Sequence, residues 1–152
     1  MQSGSEKTTT FLLPALAGAN MLYGMGMLEL GVTFSYAQLM VDDEIAGLVR
    51  RTIRGVDVNE KTLATDLILE KGGGLGKHYM MDDHTIEFLK TEQQLVKLFD
   101  RKTRGTWLTN GGGDCTARAE EKARDLFHSH KPDPLPPAVL KELQRIIADA
   151  EK

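Results

Sequence analysis

The 152-residue chain has one cysteine, Cys115, so no internal disulfide can form, and the simplest setting is a reduced, cytoplasmic one. No apolar run approaches the ~20 residues that span a bilayer as a helix, and the first residues lack the basic-then-apolar order of a signal peptide. A net charge of −3 leaves no basic excess, which argues against nucleic acid or an anionic membrane as partner. Aromatic residues are scarce at 6%, with Trp107 the sole tryptophan, so the 41% of apolar residues must build the core largely from aliphatic side chains. Four of the five prolines fall between positions 132 and 137, which marks one stiff connection and leaves the rest of the chain free to form helices. No internal repeat is visible.

What is present is concentrated in residues 18–31, where four glycines punctuate methionine, leucine and tyrosine, and Glu29 closes the run. Read with period two, Met21, Tyr23, Met25, Met27 and Glu29 share one face, and Leu22, Gly24, Gly26 and Leu28 share the other. A strand over residues 21–28 with a large row and a small row suits a barrel wall. Glu29 then falls at the C-terminal end, where barrel enzymes gather their chemistry. The alternative is a buried strand whose Glu29 pairs with Arg50, Arg51 or another base.

Helices flank this segment. Residues 8–19 read as helical, with Leu12, Leu13, Leu16 and Ala19 inward and Pro14 either kinking the helix or opening it. Ser35-x-x-Gln38 is a capping box opening a helix whose buried stripe is Leu39, Ile45, Leu48, Val49 and Ile53. Arg50, Arg51 and Arg54 complement its negative end, Gly55 stops it, and Asp42, Asp43 and Glu44 are assigned to a solvated face. Asn59 caps a short helix with Leu63, Leu67 and Ile68 inward, and a helix is expected over residues 84–98 with a break near Thr91. A helix over 115–130 and another over 137–150 form a closing pair. Leu140, Leu143, Ile146, Ile147 and Ala150 make the apolar stripe of the last one.

Most chemical motifs fail on spacing. The glycine-rich run before Lys77 and His78 has Lys71 where a P-loop needs its first glycine, and His78 where it needs Ser or Thr. A flexible connection is the better reading. His78, His84, His128 and His130 match no zinc spacing, and Cys115 has no thiol partner, so no metal site is expected. His84 is assigned to capping or a structural hydrogen bond, Trp107 to anchoring its loop, and the charged run from Glu120 to Asp125 to a solvated helix face.

The order of small residues is more specific than any of these. Gln2, Gly4, Glu6 and Lys7, then Ala17 to Asn20, Tyr23, Gly24, Gly26 to Glu29, Gly31, Thr33 to Ser35, Gln38, Leu39, Asp42, Glu44 and Ile45 follow a fixed pattern. In these residues the chain resembles the trimethylamine methyltransferase family of corrinoid-dependent enzymes. Weaker matches continue at His84-Thr85, at Leu98-Phe99-Asp100-Arg101, at Ala119 and Ala123, and at the proline-rich connection.

The resemblance implies the C-terminal part of a (β/α)8-type barrel, a fold that takes roughly 250 residues when whole. It also implies that any pyrrolysine, in the branch that uses it, lies upstream of Gln2. Residues 1–110 would supply barrel strand and helix units with following helices, and 111–152 a C-terminal helical pair. The implied activity is methyl transfer from trimethylamine, or a related quaternary amine, to Co(I) of a corrinoid carried by a separate protein, within a homo-oligomer. Tyr23, Glu29 and Phe34 become the candidate substrate residues, because aromatic faces attract a methylammonium head and a carboxylate balances it. The chain alone is expected to be inactive. The competing expectation is a non-catalytic helical interaction module derived from such an enzyme.

Overall fold

In the computed structural model, which describes residues 2–74 and 77–151, the first helix starts earlier than the sequence pattern suggests. Helix α1 spans Gln2–Leu16, and its polar first half is held from within. The Gln2 amide donates to Glu6 at 2.7 Å, and the hydroxyls of Thr8, Thr9 and Thr10 return to the carbonyls of Gly4, Ser5 and Glu6. Pro14 lies in the last turn, so a helix opening at Pro14 is ruled out. Gly18, with φ 88°, then turns the chain away.

The long strand expected over residues 21–28 does not form. Two residues, Met27–Leu28 (β1), pair antiparallel with Thr33–Phe34 (β2), Met27 opposite Phe34 and Leu28 opposite Thr33. The reason lies in the glycines that the alternating pattern treated as a small row. Gly24 and Gly26 have φ of 100° and 76°, a left-handed conformation that cannot continue an extended strand. At Gly26 a Cβ would stand 2.7 Å from the Phe34 ring, and the Gly26 carbonyl accepts from the Ser35 N–H at 2.8 Å. The segment is therefore a short, tightly wound hairpin with few ladder bonds.

Helix α2, Tyr36–Arg54, is the organising element, with α1 on one side and α7, Cys115–Ser129, on the other. Ser35 caps it by accepting from the Gln38 N–H, but the Gln38 amide donates to Asp42 Oδ1 at 2.7 Å, so only half of the capping box forms. Phe11, Ile45 and Val49 are the buried centre, with Leu12, Ala15, Leu22, Met25, Val41, Ala46 and Phe99 around them. Ile53, expected inward, is exposed. Asp42 and Glu44, expected in solvent, are buried; only Asp43 faces water.

Helices α3, Glu60–Leu63, and α4, Thr65–Glu70, are separated by Ala64 at φ 50°, which divides the expected apolar stripe. Leu63 and Ile68 are exposed and only Leu67 is half-buried. Asn59 does cap α3, in a reciprocal box with Thr62. Of the glycine-rich connection, Leu75 and Gly76 lie outside the described residues.

Helix α5, Asp83–Leu89, stops near the expected break, and residues 92–102 are irregular rather than helical. Their backbone groups are taken by side chains elsewhere. Arg51 Nε donates to the Glu92 carbonyl, Glu44 accepts the N–H groups of Lys97 and Leu98, and Arg118 Nε donates to the Leu98 carbonyl. A short α6, Arg104–Thr109, follows, and Trp107 Nε1 donates to the Gly113 carbonyl at 2.9 Å, anchoring its loop as expected. Helix α8, Pro137–Ala150, closes the chain with its apolar stripe exposed. Among the described residues, no helix is long and apolar enough to cross a membrane.

Candidate functional site

The hairpin between α1 and α2 owes its shape to one buried carboxylate. Asp42 has no exposed surface, and its Oδ2 accepts from Lys7 Nζ at 2.9 Å and from the Gly26 N–H at 2.8 Å. Its Oδ1 takes the Gln38 amide. Lys7 also donates to the carbonyls of Gly24, at 2.9 Å, and Met27, at 3.2 Å, which uses all three donors of its ammonium. A charge pair removed from water is tolerable only when its remaining hydrogen-bonding capacity is met in this way. Helix α1, the glycine turn and helix α2 thus converge on one point.

The sequence carried a signal for this. Asp42 precedes Ile45 by three residues and Val49 by seven, which puts it on the buried stripe and not opposite it. Its distance of four from Gln38 is the spacing at which helical side chains meet. Reading three consecutive acids as a charged face concealed both relations. Glu44 plays a similar part on the far side of α2, gathering two backbone N–H groups at 2.8 and 3.1 Å.

Beyond the anchor, the hairpin tip is strained. Glu29 and Leu30 both sit at left-handed φ, 49° and 58°, followed by Gly31 at 91°. Non-glycine residues held there cost of order 1–3 kcal/mol each. The Glu29 carboxylate is exposed and accepts from Thr33 Oγ1 at 2.7 Å. It is not paired with Arg51, whose guanidinium is committed to Glu92 and the Gly55 carbonyl.

The three candidate residues are not gathered into one cage within this chain. Glu29 lines a cleft of about 600 Å³ with Glu6, Lys7 and Thr10 of α1 and Met27 of β1. Tyr23 is 76% exposed, not on an interior row, and it lies outside that cleft. Phe34 is 54% exposed and meets the edge of Tyr36 with ring centres 5.3 Å apart.

Other titratable groups have structural partners. His84 Nε2 bonds the Lys61 carbonyl at 2.9 Å and its ring lies against Phe88, the structural role expected of it. Burial pushes the Cys115 thiol up, away from the thiolate that nucleophilic chemistry needs. Hydrogen bonding to Asp82 holds the Lys71 ammonium above its usual range. Among the described residues, no three of His, Cys, Asp and Glu stand close enough to hold a metal ion.

Comparison with known proteins places these residues. The sequence model of the trimethylamine methyltransferase (MTTB) family matches residues 1–152. Trimethylamine methyltransferase MttB of Desulfitobacterium hafniense (strain DSM 10664 / DCB-2) is 41% identical over 150 residues, covering 99% of this chain and 30% of its own length. Trimethylamine methyltransferase MttB1 of Methanosarcina mazei is 41% identical over 157 residues, with the same two coverages. A glycine betaine methyltransferase of Desulfitobacterium hafniense (strain Y51) is 30% identical over 152 residues, covering 99% of this chain and 31% of its own. The chain spans about 30% of the length of the curated relatives it matches.

Proposed function

The chain belongs to the trimethylamine methyltransferase family, and from that premise we propose that it is one segment of an enzyme that moves a methyl group from trimethylamine, or a related quaternary amine, to a corrinoid carried by a separate protein. The observation that carries this reading is the identity of 41% over 99% of the chain to trimethylamine methyltransferases, against 30% to the glycine betaine enzyme. In this reading the hairpin and α2 lie in the C-terminal part of a (β/α)8-type barrel, the hairpin as a connection and not as a barrel strand.

His84, with a backbone carbonyl on Nε2, is given a structural role in this reading. The corrinoid is assigned, as the family resemblance implies, to the partner, where it would supply the nucleophilic centre that accepts the methyl. This chain acts on the amine. The faces of Tyr23 and Phe34 attract a methylammonium head, an interaction worth about 0.5–1 kcal/mol when exposed and about 2 when dry. Glu29 supplies the opposing charge, and the Lys7–Asp42 anchor keeps the hairpin that bears it in place.

Both aromatic rings are open to water in this chain, so it cannot by itself exclude solvent from a reacting N–CH3 bond or strengthen the cation contact by drying it. The isolated chain is therefore inactive. The test is to exchange these 152 residues for the matching segment of Desulfitobacterium MttB and follow trimethylamine-dependent methylation of the cognate corrinoid protein. The chimera is expected to turn over, and Glu29→Gln or Tyr23→Ala within it to raise KM for the amine by about tenfold, the equivalent of about 1.4 kcal/mol. A folded but inactive chimera, or turnover by the 152-residue chain alone, would refute the proposal.

A further inference from the structure

The Glu29 carboxylate lines the cleft between α1 and the hairpin, and a hydroxyl holds it there. Thr33, the first residue of β2, donates from Oγ1 to Glu29 Oε2 at 2.7 Å across the tip. Among the described residues this is the one hydrogen bond that either side chain makes, and it leaves Glu29 Oε1 unbonded. Thr33 is not part of the cleft wall, so it reaches the carboxylate from outside.

The neutrality of this donor has a chemical consequence. A lysine or arginine in the same place would hold the carboxylate and cancel its charge. A hydroxyl fixes the group and leaves the charge on it. The lysine in the cleft wall, Lys7, commits its three donors to Asp42 and to the carbonyls of Gly24 and Met27, and makes no bond to Glu29.

The donor is also well placed. Thr33 pairs with Leu28 across the hairpin, and the base of the hairpin is fixed where Lys7 meets the Met27 carbonyl and Asp42 accepts the Gly26 N–H. Branching at Cβ restricts χ1 of threonine, so the position of the hydroxyl follows closely from the backbone. Glu29 is a flexible, exposed side chain, and without a partner it would spread over several rotamers.

We propose that Thr33 is a positioning residue for the amine: its hydroxyl holds the Glu29 carboxylate in one orientation at the cleft without neutralising it. A methylammonium head then meets a fixed negative charge. The inference rests on the methyl-transfer reading, in which Glu29 opposes the charge of the substrate. Its effect belongs to binding. As the methyl leaves, the C–N bonding pair stays on nitrogen and the positive charge there disappears, so the carboxylate attracts the amine most strongly before transfer. Losing its placement therefore raises KM and spares kcat.

In the chimera with Desulfitobacterium MttB, Thr33→Val keeps the branched shape and removes the donor. It is expected to raise KM for trimethylamine about threefold with kcat within about twofold, and Thr33→Ser to restore the original KM. In a Glu29→Ala background, Thr33→Val should add nothing, because no carboxylate remains to be held. In the 152-residue chain, three-bond NMR couplings should report one χ1 rotamer for Glu29, and an average of rotamers in Thr33→Val, while the amide shifts of Gly24, Gly26 and Met27 stay in place. An averaged Glu29 in the unsubstituted chain, an equal rise of KM in the Glu29→Ala background, or a KM untouched by Thr33→Val while Glu29→Gln raises it would each overturn the positioning role. If Glu29→Gln also leaves KM unchanged, the assignment of Glu29 to the amine is what fails, and the role of Thr33 fails with it.

Discussion

Residues 18–35 and helix α8 make opposite bargains with the rest of the molecule. The first segment has almost no regular structure, two strand residues on each side of a strained tip, yet it is tied to the core by a buried carboxylate and a fully committed ammonium. Helix α8 is regular over fourteen residues and begins with proline at its first position, yet its apolar side chains are half in water. Regularity and integration are therefore separate properties here. Backbone hydrogen bonds within an element say little about what holds that element in place.

The largest effect is expected at the anchor. Asp42→Ala would leave Lys7 charged in a partly buried position and the Gly26 N–H without its acceptor. Breaking a buried pair from one side typically costs 3–5 kcal/mol. Urea unfolding followed by circular dichroism should show that loss, and a change below about 1 kcal/mol would mean the hairpin is held by packing instead. The matching substitution on α8, Leu143→Ala, should leave the monomer within about 0.5 kcal/mol of the wild type, as surface changes do.

Glu44→Ala comes next. It removes the acceptor of two N–H groups in residues 97–98, one of them buried, and the expected cost is about 1–3 kcal/mol. Hydrogen exchange at Lys97 and Leu98 should accelerate first, because these bonds, and not a helix ladder, order that stretch.

The two regions also explain what the sequence disclosed. The bounds of α7 and α8 were legible because caps, prolines and a 3.6-residue period all act locally. The stop of α2 at Gly55 was legible for the same reason. The hairpin was misread because Gly24 and Gly26 were counted as small side chains when their use is left-handed φ. Asp42 and Glu44 were misread because three consecutive acids were taken as one charged face, which hid Asp42's place on the buried stripe, while the partners at Lys7 and Lys97, 35 and 53 residues away, left no local trace. Of the three candidate residues, Glu29 was placed at the end of β1 correctly in order, but its position on a turn outside the strand, and its distance from a shared cage with Tyr23, depended on that missed turn.

Strain at the tip offers a smaller and opposite effect. Leu30 is at φ 58° with its side chain fully exposed, so nothing is lost by removing it. Leu30→Gly should raise the stability of the monomer by about 1 kcal/mol, the strain relieved less the added freedom of the unfolded chain. A thermal midpoint that falls instead would show that the conformation at Leu30 carries no strain, and that the anchor at Asp42 is not holding the tip against a cost.

The smallest effect belongs to α8 and is set by pH. The hydrogen bond from Arg145 holds the Glu142 carboxyl below its usual range, so the charged form is favoured in the helix. A carboxylate lowered on folding contributes stability above its ordinary pKa, and that contribution disappears as pH falls through the lowered value. Both groups are exposed, so the contribution is small and weakens further with salt. Amide NMR of monomeric chain should show helical shifts of residues 138–149 fading as pH falls below the ordinary glutamate range, while Ile45 and Val49 are unmoved. In Arg145→Gln the fading should begin at higher pH, because the group then titrates at its ordinary value. If α8 and the core of α2 lost their shifts together, α8 would be part of the same cooperative unit, and its independence from the anchored hairpin would be lost.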